Sequence, residues 1–136
     1  MDLADRLVAA IDQLDSVSIG VTQLQRDGGM LYNDRSWNLQ AGASAGPDRE
    51  RFEGGSIGHT HHPNNNSMHV FLPRSVSRGM IQEGGWGEIH PFNAMNGLGT
   101  EHVDYVMLWG PRNERELQVV WLLVQTAYAQ ARDQLP

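Results

Sequence analysis

The segment "SIGHTHHPNNNSMHVFLP", Ser56 to Pro73, decides how the chain is read. Its two flanks, Ser56–His62 and Met68–Leu72, alternate or concentrate β-branched and apolar residues, and "PNNN" between them is built of turn-forming residues. The spacing therefore predicts a β-hairpin. On a strand, residues two apart share a face, so His59 and His61 point the same way and His69 shares a face with Phe71.

Upstream of this hairpin, Leu3, Leu7, Val8, Ile11 and Leu14 recur at helical spacing between aspartates, which predicts an amphipathic helix. "SVSIGVTQL" then alternates Val17, Ile19 and Val21 with small or polar residues, as a strand does. "RDGG" at 26–29 is a turn signal, with a partner strand expected around Met30–Tyr32. Residues 40–50 are small, Gly-rich and polar and read as a loop or flap.

Downstream, "PRSVSRGMIQEGG" has Pro73 suited to a helix start and Gly84–Gly85 suited to its end. Trp86–His90 and Val103–Trp109 read as strands, with a loop at 91–102 between them. In the last segment Asn113 and Glu116 form a capping box, and Leu117, Val120, Trp121, Val124 and Tyr128 line one helix face. Strands bracketed by helices, with no repeat and no linker, predict one α+β domain over residues 1–136. The expected architecture is a single layer pair, with a mostly antiparallel sheet and the N-terminal and C-terminal helices on one face.

Composition removes several function classes. The formal charge is −6 and all ten basic residues are arginine, so the chain offers no basic stripe for nucleic acid or an anionic membrane surface. Without lysine there is no Schiff-base amine, and without cysteine there is no thiolate nucleophile, thiolate metal site or disulfide. The N-terminal stretch is broken by Asp5, Arg6, Asp12 and Asp15, unlike a signal peptide, and "VVWLLV" at 119–124 is far short of a bilayer span. The expected setting is a soluble cytoplasmic protein whose partner is a small-molecule substrate. The sequence leaves open whether it forms a homo-oligomer.

A second cluster, "GWGEIHPF" at 85–92, places Glu88 and His90 on one face of a strand. Two readings use the paired positions. In the first, His59 or His61 is a general base, Glu88 orients a histidine, and His90 or Arg112 stabilises an oxyanion. Trp86 and His69 then contact substrate. In the second, His59, His61, Glu88 and His90 on neighbouring strands bind a divalent transition metal. The order His, His, Glu, His matches that of cupin ligands, but a cupin glutamate follows within a few residues of His-x-His, where this chain has "PNNN". His102 reads as a structural histidine and His62 as a turn residue.

Taken together, "IGHTHHP", "SMHVFLP", "GGWGEIHPF" and "VDYVMLWGPRNERELQVVWLLVQTAY" resemble the luciferase-domain family of small bacterial and fungal proteins related to fungal luciferase. The resemblance covers roughly Phe52 to Ala131, and its pattern falls on His59, His61, Trp86, Glu88, His90, Pro91, Pro111 and Arg112. It implies oxygenation of an enolic, pyrone-like substrate, as in secondary metabolism, with neither flavin nor metal. The chain is shorter than luminous members and lacks their hydrophobic N-terminal segment, so light emission is not implied.

Three functions follow. The favoured one is a cofactor-independent enzyme that oxygenates, cyclises or isomerises an enolic, aromatic or polyketide-like metabolite by histidine acid–base chemistry. The alternatives are a metal-dependent enzyme at the four positions above, and a non-catalytic module that binds a small ligand or a protein.

Overall fold

The computed structural model describes residues 3–25, 31–40, 42–43, 55–61, 67–95 and 97–133. The chain is α+β, as its pattern predicts. Helix α1 (Leu3–Asp12) precedes the strand pair β1 (Val17–Gln25) and β2 (Leu31–Leu39). The hairpin of the quoted segment follows as β3 (Ser56–Thr60) and β4 (Met68–Pro73). A helix, α2, starts with one α-helical turn (Arg74–Val76) and winds more widely from Ser77 to Glu83. Strand β5 (Gly87–Ile89), the one-turn helix α3 (Phe92–Met95), β6 (Val103–Leu108) and the long helix α4 (Glu114–Arg132) complete it.

The described strands form one six-stranded sheet in the order β1-β2-β3-β4-β6-β5, with every neighbouring pair antiparallel. The register pairs Gly58 with Val70, His59 with His69, and Thr60 with Met68. Pairing across β4 and β6 sets Val70 opposite Val106 and His69 opposite Met107. Residues in register share a face, so the sheet divides cleanly. One face carries Met68, Val70, Leu72, Val106 and Leu108, all fully buried against the helices. The other carries His59, His69 and Met107.

The helices supply the cover that this apolar face requires. Helix α1 buries Leu7 and Ile11, and α4 buries Leu117, Val120, Leu123, Val124, Ala127 and Ala131. Trp121 and Tyr128, read from the sequence as part of the same stripe, pack at its margin. The capping box is shifted. Asn113 accepts the Glu116 N–H at 2.9 Å, but Glu116 reaches back to the N–H of Arg112 rather than that of Asn113. No described helix is long and apolar enough to cross a membrane.

Two glycines set the close approach of the central strands. A Cβ at Gly58 would collide with the carbonyl oxygen of His69, and one at Gly87 with that of Met107. Each glycine directly precedes a residue singled out by the sequence, His59 or Glu88. Their lack of a side chain serves the backbone rather than the chemistry.

The helix-covered face contains one fully buried carboxylate among the described residues, Asp104. Ser77 donates its hydroxyl to it, Asn93 donates at 3.0 Å, and Arg74 donates from Nε and Nη2 at 3.3 and 3.2 Å. Burial pushes the Asp104 carboxyl up, but the hydrogen bonds from Ser77, Asn93 and Arg74 outweigh it and hold the group below its ordinary value.

The sequence places a partner strand only at Met30–Tyr32, whereas β2 runs from Leu31 to Leu39. The turn read at 26–29, most of the loop at 40–50, and His62 with "PNNN" lie outside the described residues.

Candidate functional site

The hairpin β3–β4 concentrates imidazoles because its register sets His59 directly across from His69. His61 follows the last residue of β3 and is still anchored to the opposite strand. Its backbone N–H donates to the Ser67 carbonyl at 2.9 Å, and its Nδ1 lies 2.9 Å from the Ser67 hydroxyl. The ring centroids of His59 and His69 are 4.6 Å apart, those of His61 and His69 4.5 Å, and those of His59 and His61 5.2 Å. All three side chains are partly buried, and one ligand atom from each lies within 4.8 Å of the others.

Beyond this trio the same face continues as an aromatic lining. Nδ1 of His69 is 2.9 Å from the Tyr105 hydroxyl, and the Tyr105 ring packs at a tilt of 42° against Phe71 with centroids 4.8 Å apart. Burial pushes the Tyr105 phenol up to about 12, so it keeps its proton throughout the physiological range. His90, following β5, brings its ring to 4.6 Å from His69 and 5.0 Å from Tyr105. Burial lowers the His90 pKa, which favours the neutral ring. Its Nδ1 accepts the backbone N–H of Phe92 at 3.0 Å.

Four of the singled-out residues, His59, His61, His69 and His90, are therefore assembled in one place. Glu88 is not in that contact set. The sheet order puts β4 and β6 between β3 and β5, so the two motif strands are not neighbours, as the four-ligand reading had them. Glu88 pairs with Met107, which pairs with His69. It thus shares the histidine face but sits two strand spacings, roughly 10 Å, from the His69 backbone, and its side chain is exposed. The groups at Nδ1 of His61 and of His69 are instead Ser67 and Tyr105, neither of them singled out from the sequence. Tyr105 has a signal in the alternation of "VDYVML", which puts it on one face with Met107.

Arg112 and Trp86 lie elsewhere. They line a cavity of about 480 Å³ together with Trp109, Pro111, Glu116 and Val120. Arg112 donates there to both carboxylate oxygens of Glu116, with Nη2 at 2.7 Å from Oε2. The hydrogen bond from the Arg112 guanidinium holds Glu116 below its ordinary range. His102 stands beside Glu101 at 3.2 Å, away from the ring cluster.

The segment that carries this geometry also identifies the protein's relatives. Residues 54–127, more than half of the chain, match the family model described as the luciferase domain. The chain belongs to the luciferase-domain family. No curated protein and no solved structure matches it. The matched part of this luciferase domain runs from the start of the β3–β4 hairpin into α4 and so contains all of the clustered histidines.

Chemically, the face offers three imidazoles brought together from the two sides of one hairpin. Each would bind an ion as a neutral ring, and protonation of all three would set like charges against each other. Three protein ligands also leave a coordination position open, the feature that separates catalytic from structural metal centres.

Proposed function

We propose that this luciferase domain is an enzyme acting on a small enolic or aromatic metabolite at a centre where His59, His61 and His69 hold a divalent transition metal. The observation that carries the proposal is the set of three ligand atoms within 4.8 Å of one another. Two nitrogen ligands on one ion, at about 2.0–2.1 Å each, stand no more than roughly 4 Å apart. The set therefore needs only small side-chain rotations to close on an ion. Hydrogen bonds at the other ring nitrogen orient such ligands, and Nδ1 of His61 and of His69 each faces a hydroxyl, Ser67 and Tyr105. With Nδ1–H donated to the hydroxyl oxygen, Nε2 becomes the ligating atom.

Held by His59, His61 and His69, such an ion would supply a Lewis acid able to lower the pKa of an enol or water. The aromatic rings of Phe71, Tyr105 and Phe92 beside the histidines suit contact with a flat substrate ring. Deprotonation of the enol is the common first step of oxygenation, cyclisation and isomerisation. The luciferase-domain resemblance points to oxygenation but implies it without a metal, so the ion rests on the geometry of the histidines alone.

A second reading dispenses with the ion, and one contact favours it. The His69–Tyr105 hydrogen bond joins an imidazole to a phenol that stays protonated, a pair able to pass a proton to or from a substrate oxygen. Elemental mass spectrometry on untagged protein separates the two. About one equivalent of transition metal, absent from His59→Ala and His69→Ala, supports the centre. Folded protein that carries no metal and takes up none on reconstitution overturns it and leaves the acid–base reading.

A further inference from the structure

We infer that His90 is a fixed hydrogen-bond donor toward the anion or oxygen atom held at the His59–His61–His69 centre, and that Asn93 and Asp104 are the positioning residues that keep it so. The inference rests on the metal reading above for what His90 addresses, but not for how His90 is held.

A neutral imidazole has a single lone pair in the ring plane, on whichever nitrogen lacks the proton. Nδ1 of His90 accepts from the Phe92 backbone N–H at 3.0 Å, so the proton is on Nε2. A ring in that tautomer cannot offer Nε2 to a metal. It can only donate. Proximity alone would make His90 a fourth ligand, since its ring touches that of His69, but the lock at Nδ1 assigns it the opposite role.

The lock is supported from below. Pro91 restricts the backbone between the two partners, and the Asn93 N–H donates to the His90 carbonyl at 2.9 Å. The Asn93 side chain then fastens the whole turn to β6. Its Oδ1 accepts the Tyr105 N–H at 2.7 Å, and its Nδ2 donates to Asp104 Oδ1 at 3.0 Å. The fully buried Asp104 is in turn held by Ser77 and Arg74. A rigid chain of contacts thus runs from a buried carboxylate, through one amide, to the tautomer of a histidine on the other face of the sheet.

Two measurements on the full chain test this. The first is the ¹⁵N–¹H long-range correlation spectrum of metal-free protein, which distinguishes the two neutral tautomers of each histidine. His90 is expected as the Nε2–H form, shifting to a tautomer mixture in Asn93→Ala. An Nδ1–H signal in the unsubstituted protein overturns the lock. The second is azide titration of cobalt(II)-loaded protein, followed by visible absorption. His90→Phe is expected to keep one cobalt with unchanged affinity but to bind azide roughly tenfold more weakly, the loss of one hydrogen bond to an anion. His90→Gln, whose amide can donate, should recover part of that loss, and Asn93→Ala should weaken azide binding severalfold with cobalt retained. Loss of cobalt in His90→Phe would make His90 a ligand and overturn the inference, as would unchanged azide binding. If the unsubstituted protein takes up no cobalt, the donor role falls with the metal reading, while the tautomer lock is still decided by the spectrum.

Discussion

On the helix-covered face of the sheet, a single carboxylate, Asp104, is fully buried and surrounded by donors from Ser77, Asn93 and Arg74. On the other face, His59, His61, His69 and His90 are only partly buried and are packed against one another. The first arrangement is complete, because unlike groups satisfy each other and nothing further is needed. The second gathers like groups whose protonated forms would repel one another. Burial among unlike partners marks a structural polar group here, and the crowding of like groups makes the other face the candidate for function.

The comparison can be broken by exchanging the consequences. Asp104→Ala leaves the donors of Ser77 and Asn93, and the partly exposed Arg74, without their acceptor and should cost about 3–5 kcal/mol in urea unfolding; a loss below about 1 kcal/mol would deny the site its structural role. Acid should act on the same residue. The Asp104 pKa is lower in the folded chain than its ordinary value of 3.8. Its contribution is thus present in full above that ordinary value and is lost as pH falls through the lower folded one. Unfolding of Asp104→Asn followed between pH 5 and 2 should show a flatter acid limb than the unsubstituted chain. Ser77→Ala removes one donor and should cost about 1–3 kcal/mol. The smallest effect on stability is expected on the histidine face. Tyr105→Phe should cost about 1 kcal/mol while weakening cobalt affinity roughly 10- to 100-fold, as loss of a group that orients a ligand does. Isothermal titration with cobalt measures that split, and a stability loss without a change in affinity would move Tyr105 to the structural side.

Much of this was legible in the residues, and the illegible part has a physical cause. The β3–β4 hairpin, the first and last helices and the convergence of His59 with His61 follow from periodicity and capping chemistry, which act over a few residues. Strand β2 is longer than its signal because "NDRSWN" alternates polar residues with Trp37, whose burial comes from pairing with β1 and β3 rather than from local composition. Glu88 was placed on the correct face by alternation, but no local pattern states that β6 lies between β4 and β5. His69, ambiguous on its own strand, becomes the centre of the cluster through register. If residue 61 faces 67, then 59 must face 69, and that follows only once the hairpin closure is known.

That same register gives the hairpin a second property. A slip of one residue would turn every side chain of β3 to the opposite face and bury His59 under the helices. The ion proposed at His59, His61 and His69 would join both strands across only eleven residues of chain, a short loop that costs little entropy to close. Such an ion would bind one pairing of the strands and none of its slipped alternatives. It would act during folding as a register pin, selecting the alignment on which its own site depends.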